Sequence, residues 1–122
     1  MSTARAQVWQ GGGDFQLLEL DLPALGEGEV LVRLNTATIC GSDRHTVSGR
    51  RSGACPSILG HEGVGTVVES RRPGIEPGQR VVFSVTSSCG RCATCLRGLS
   101  AKCETVLKAG HESFEQGWPL SG

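Results

Sequence analysis

The chain has 122 residues, and its 12 Lys and Arg balance 12 Asp and Glu to a formal net charge of zero. Such a balance draws it toward neither nucleic acid nor an anionic membrane, and no apolar run reaches the length of a transmembrane span or a signal peptide. The length fits one ordinary domain with a real core, and six cysteines without an export signal point to metal thiolates in a reducing compartment, the cytoplasm.

Read in chain order, the pattern is β-rich. Ala4 to Gln10 makes a first strand, and Leu18 and Leu20 alternate with Glu19 and Asp21 in a second. Val30, Val32 and Leu34 alternate with Leu31, Arg33 and Asn35, while Gly65–Glu69 and Arg80–Val85 are short valine-rich runs. Turn signals separate them at Gly11-Gly12-Gly13, Pro23, Gly26-Glu27-Gly28, Pro73-Gly74 and Pro77-Gly78. Helical periodicity is confined to short stretches after Cys40 and from Leu96 to Cys103. Short strands between such breaks predict an antiparallel barrel or sandwich, not parallel β-α-β units.

Four thiols, Cys89, Cys92, Cys95 and Cys103, recur at offsets of three, three and eight. A structural zinc site needs four sulfurs converging at roughly 2.3 Å from the metal, and local spacing of this kind delivers them. Three rivals stand beside it. Thiols three apart pair poorly as disulfides. Ferredoxin clusters share the Cys-x2-Cys-x2-Cys run, but their fourth Cys follows after three residues and precedes Pro, whereas here seven residues intervene and Glu104 follows. Four unrelated cysteines are the remaining alternative. Zinc fits the spacing best.

A second constellation lies upstream: Cys40-Gly41-Ser42-Asp43-Arg44-His45, then Gly60-His61-Glu62-Gly63-Val64-Gly65. A thiol opening a helical turn has a depressed pKa and makes a ready ligand. Glycines on both sides of His61 let the backbone bend its imidazole toward a buried point, and Asp43 and Glu62 offer carboxylates to orient it. Singly, each residue has a plainer explanation: Cys40 as a small buried apolar group, His61 as a hydrogen-bonded loop residue, Ser42 and Asp43 as helix caps.

In this order, the two constellations resemble the N-terminal half of the zinc-dependent medium-chain alcohol dehydrogenases, and the likeness runs from about Ala4 to Gly122. The resemblance implies a mainly β, GroES-like antiparallel barrel with short helices over residues 1–122, a zinc lobe inserted at 86–106, and no Rossmann domain. It also implies that Cys40 and His61 hold a catalytic zinc and that Cys89, Cys92, Cys95 and Cys103 hold a structural one. Glu62 would be an alternate ligand or a support for one, Asp43 the carboxylate bonded to His61, and Ser42 the group that passes the alcohol proton toward His45. The reaction implied is oxidation of a small alcohol by hydride transfer to NAD(P). The wording Cys-Gly-Ser-Asp-x-His lies closest to the polyol and threonine dehydrogenase branch and to a group associated with phosphonate breakdown.

One departure from the family is large. Its members run to roughly three times this length, with a nucleotide-binding half after the barrel. No Gly-x-Gly-x-x-Gly occurs here: Gln16 stands where Gly11-Gly12-Gly13 would need its last glycine, and Val68 where Gly63-Val64-Gly65 would. The chain stops at Trp118-Pro119-Leu120-Ser121-Gly122, so the expectation is a domain truncated at its C-terminal end, inactive by itself, with NAD(P) used only in a full-length form. An open sheet edge would then leave it prone to self-association. The competing expectation is a non-catalytic, zinc-stabilised structural or interaction module. Arg44, Arg50 and Arg51 near the site suit either an anionic substrate or a solvated basic loop. Cys55 reads as a free thiol, and His111 as a solvated loop residue before a reserve ligand.

Overall fold

A computed structural model of the protein describes residues 3–111. The segment 112–122, which includes Trp118–Gly122, lies outside the described residues.

The first two strands form a hairpin, β1 (Thr3–Gly11) with β2 (Asp14–Asp21), antiparallel from Thr3 opposite Asp21 to Gly11 opposite Asp14. Gly11 and Gly12 take φ of +108° and +54°, which only glycine adopts cheaply, so the Gly-Gly-Gly run serves the turn. The Trp9 indole N–H closes it with a 2.8 Å bond to the Gly12 carbonyl. Alternation then decides the packing. Ala6 and Val8 face inward and meet Ile58, with Leu18 and Leu20 packed against them. Each large aliphatic side chain buried there contributes ~1.5–3 kcal/mol. A β-bridge between Trp9 and Ser57 ties the loop of Ile58 to the hairpin.

The central sheet has the order β3–β4–β5, with β3 at Val30–Ala37, β4 at Gly63–Ser70 and β5 at Arg80–Val82. Both ladders are antiparallel. Between β3 and β4 runs α1 (Gly41–Val47), the helix expected after Cys40. The third sheet is a two-residue pairing, β6 (Thr86–Ser87) with β7 (Leu107–Lys108). It closes the neck of an excursion that holds α2 (Ala93–Leu96) and a 3-10 turn at Ser100–Lys102.

The expected strands over residues 4–10, 18–21, 30–35 and 65–69 are all present, and each runs longer than its pattern. Two expectations need correction. The run Arg80–Val85 is a strand only to Val82, because β4, its partner, begins its ladder with β5 at Val64 opposite Val82. The helix expected over Leu96–Cys103 is split and displaced, since Gly98 at φ +81° ends α2 and the chain restarts as a 3-10 turn. Every ladder is antiparallel, as the spacing of the turns predicts.

The glycines around His61 have a packing reason. A Cβ on Gly65 would overlap Val32 Cγ1 and lie 2.5 Å from the Arg33 carbonyl oxygen, at a point where the β3–β4 register shifts. Gly65→Ala is therefore expected to lower stability by about 1–3 kcal/mol, the usual cost of overpacking. Gly13→Ala, at a glycine with open space around it, should stay within about 0.5 kcal/mol of the parent. Paired urea melts of the two variants check the contrast.

Candidate metal centres

The first centre is built by strand register. Ala37 at the end of β3 lies opposite Gly63 at the start of β4, and the pairing continues one step outward as Thr38 N–H donates to the Glu62 carbonyl at 3.1 Å. Cys40 and His61, distant in sequence, therefore leave the same end of the same sheet. Cys40 is the N-cap residue of α1, in extended conformation, which turns its side chain back toward β4. One ligand atom from each of Cys40, His61 and Glu62 lies within 4.8 Å of the other two.

Asp43 holds this group together. Its Oδ2 accepts the Cys40 backbone N–H at 3.1 Å, and its Oδ1 lies 3.6 Å from His61 Nδ1. Both Asp43 Oδ1 and His61 Nδ1 are buried and have no hydrogen-bond partner at bonding distance, so each is the natural complement of the other. Glu62 is exposed and takes a 2.5 Å bond from Thr38 Oγ1. That hydroxyl is the main reason its carboxyl lies below the ordinary range, against a desolvation that works the other way. One sulfur, one nitrogen and one oxygen donor, with an acidic neighbour behind the imidazole, are a donor set that suits zinc.

Ser42 and His45 both sit on α1 and line a cavity of about 460 Å³ together with Gly41, Arg50 and Arg51. Ser42 Oγ is buried without a hydrogen-bond partner, so no direct bond joins it to His45. Arg44 lines neither this cavity nor its neighbour. Cys55 is an exposed free thiol whose Sγ lies 3.8 Å from the Trp9 carbonyl oxygen.

His111 departs from the sequence expectation of a solvated loop residue. It is half-buried, and its ring centroid lies 5.0 Å from that of His61. Burial, then the positive charge of Arg51, holds its imidazole below the ordinary value. The cause is Gly110 at φ +72°, whose missing side chain lets its backbone lie directly against Gly60; a Cβ there would overlap the Gly60 carbonyl oxygen. No periodicity in sequence signals a contact of this kind. The same holds for Lys102 and Lys108, which join Arg51, His61 and His111 around a second cavity of about 310 Å³.

The second centre is local. Cys89, Cys92, Cys95 and Cys103 bring their sulfurs within 4.8 Å of one another, and none of the six cysteines is joined in a disulfide. The backbone is turned toward the sulfurs. Arg91 N–H and Cys92 N–H point at Cys89 Sγ at 3.4 and 3.2 Å, and Cys95 N–H points at Cys92 Sγ at 3.4 Å. Cys89 N–H and Thr105 N–H both point at Cys103 Sγ at 3.4 Å. Gly90 at φ +73° makes the first of these turns possible. Amide protons aimed at sulfur favour thiolate over thiol. The N–H groups of Cys89 and then Thr105 bring the Cys103 thiol down to about 6, and backbone bonds from Glu104 and Cys95 lower Cys92. Cys95 goes the other way, up to about 12, because desolvation and the sulfurs beside it resist a further negative charge. A cation at the centre removes that conflict.

Comparison with known proteins agrees with this geometry. Residues 26–118 match the family model of the alcohol dehydrogenase GroES-like domain. The chain is 38% identical over 110 residues to an S-(hydroxymethyl)glutathione dehydrogenase of Paracoccus denitrificans, covering 87% of this chain and 29% of that one. Zinc-dependent alcohol dehydrogenase 2 from Streptococcus pneumonia superposes with a TM-score of 0.74 at 32% identity, over 85% of this chain and 31% of the other. An Escherichia coli CFT073 alcohol dehydrogenase complexed with NADH gives 0.80 at 29% identity, over 93% and 34%. The chain thus spans about three tenths of the length of the curated relatives it matches, such as the 29% above. Its mainly β architecture is that of the GroES-like domain, and the chain belongs to the zinc-binding medium-chain alcohol dehydrogenase family through that N-terminal domain.

Proposed function

We propose that this chain is the metal-holding part of an oxidoreductase that oxidises a small alcohol to a carbonyl with NAD(P), in the cytoplasm. The observation that carries the reading is the cluster of Cys40, His61 and Glu62 with Asp43 behind the imidazole. Zinc bound there would supply Lewis-acid polarisation of an alcohol oxygen.

The chain's own residues have separable tasks in this reading. Asp43 fixes the His61 tautomer with the proton on Nδ1, leaving Nε2 for the metal. Ser42 offers a buried hydroxyl without a partner, able to take a proton from the substrate hydroxyl and pass on its own. His45 stands exposed on the same cavity wall, where its imidazole can release that proton to water. Cys89, Cys92, Cys95 and Cys103 hold a structural zinc in a lobe over 86–106, whose neck is the β6–β7 pair. The domain as a whole is assigned residues 1–122. Binding of NAD(P) is assigned to none of these residues, so the 122-residue chain alone is expected not to turn over. Self-association is assigned to the edge of β5 that no other described strand pairs, where Val82 is 78% exposed.

Metal content tests the reading. Refolded with excess zinc and dialysed, the chain should retain the lobe ion tightly and a second ion more weakly. Cys40→Ser should remove the second alone, and Asp43→Asn should weaken it by about 10–100-fold, as loss of a carboxylate behind a ligating imidazole does elsewhere. Cobalt in place of zinc should give a thiolate charge-transfer band lost in part with Cys40→Ser. An unchanged spectrum in that variant would sink the catalytic reading and favour the zinc-stabilised module.

Acidification tests the lobe. Cys103 in the folded lobe lies at about 6, below its ordinary value of 9.0, so the thiolate it contributes is held above that value and lost as pH falls through about 6. Zinc transfer from the lobe to a chelator should therefore steepen as pH drops through that window, measured by competition with a chromophoric chelator. Cys103→Ser should release the ion at neutral pH.

A further inference from the structure

The two cavities beside α1 meet at Ser42 and Arg51, and the charge around them is of one sign. Arg50 joins Arg51 on the outer wall, while Lys102 and Lys108 reach in from the zinc lobe and its neck on the side of His61 and His111. No carboxylate lines either cavity among the described residues. Of the acidic residues next to lining residues in sequence, Asp43 is committed to Cys40 and His61 and Glu62 to Thr38, Glu104 lines neither cavity, and Glu112 lies outside the described residues. Arg50, Arg51 and Lys102 make no ion pair among the described residues. Arg50, Arg51 and Lys102 are themselves exposed, so their grouping and not their burial carries the argument. Here elements remote in sequence bring them to the walls of a hollow that adjoins a metal-competent pair.

We propose that this hollow receives the oxyanion of a hydroxylated substrate, a phosphate, phosphonate or carboxylate, with the hydroxyl directed to Cys40 and His61. The inference rests on the function proposed above and names its substrate class. Arg51 is the anchor, because it alone of the cations lines both cavities and a guanidinium pairs two oxygens at once. Lys102 adds a point charge from the lobe, so the lobe contributes to recognition as well as to architecture. The cofactor's phosphates are the other source of such an anion, and the experiment separates the two.

The zinc-loaded 122-residue chain is titrated with 2-hydroxyethyl phosphate, glycolate, ethylene glycol and ADP-ribose, with backbone amide shifts followed by NMR. The two hydroxylated anions should shift Ser42, Arg51, His61 and His111 together, and ethylene glycol should not. Arg51→Gln should raise their Kd at least tenfold with the spectrum otherwise intact, Arg51→Lys should keep part of the affinity, and Lys102→Gln should raise it severalfold. Equal binding of ethylene glycol, or a Kd indifferent to Arg51→Gln, overturns the proposal. So does an Arg51 dependence seen for ADP-ribose alone, which would give these cations to the cofactor. The cobalt band of Cys40 is read on parallel samples loaded with cobalt in place of zinc. Its absence alongside Arg51-dependent anion binding would remove the proposed reaction and leave an oxyanion site.

Discussion

Everything near the first centre depends on one backbone registration. Antiparallel pairing that sets Ala37 opposite Gly63 makes the ends of β3 and β4 neighbours, and the next residues outward inherit that closeness. A slip of a single residue would turn every side chain on one strand to the other face, and Cys40 and His61 would no longer converge. Gly65 guards the registration. Its bare backbone lets Val32 and Arg33 close over it where the ladder bulges, and any side chain would force the strands apart. The glycines of the motif are therefore part of how a thiol and an imidazole come together, although neither touches a ligand.

The two centres are made by opposite strategies. The lobe assembles its donors from fifteen consecutive residues, so metal affinity and local folding are one process, and the backbone N–H groups prepay some of the cost of gathering negative sulfur. The Cys40 and His61 centre borrows its geometry from a sheet. Its geometry is held by Asp43, which satisfies the first amide of α1 with one oxygen and faces His61 with the other. One carboxylate thus couples a helix start to a strand start.

This difference explains what could be read from sequence. The lobe is legible because spacing alone brings its sulfurs within reach, whereas the capping of α2 by Cys92 is not. The strands are legible because Ala6, Val8, Leu18 and Leu20 alternate with residues that face outward. That Cys40 and His61 share a centre is visible only through the family resemblance, since a separation of twenty residues is compatible with many pairings. The neck strands β6 and β7 are too short to leave a pattern, and Thr86 opposite Lys108 follows from closure of the loop between them. The half-buried placement of His111, and of exposed Lys102 on the same cavity, depends on tertiary contacts that no local periodicity records.

Gly110 against Gly60 is the contact that makes one machine of the two centres. Gly60 precedes His61 directly, and Gly110 follows the β7 strand that closes the lobe. With both positions free of side chains, the chain leaving the lobe lies on the chain entering His61. The Ala109 N–H bonded to the Val85 carbonyl at 2.8 Å extends the neck toward the same point. The wall bearing Lys108 and His111 opposite His61 is therefore continuous with the neck of the lobe, and two glycines in contact leave no side chain to rearrange between that neck and the histidine.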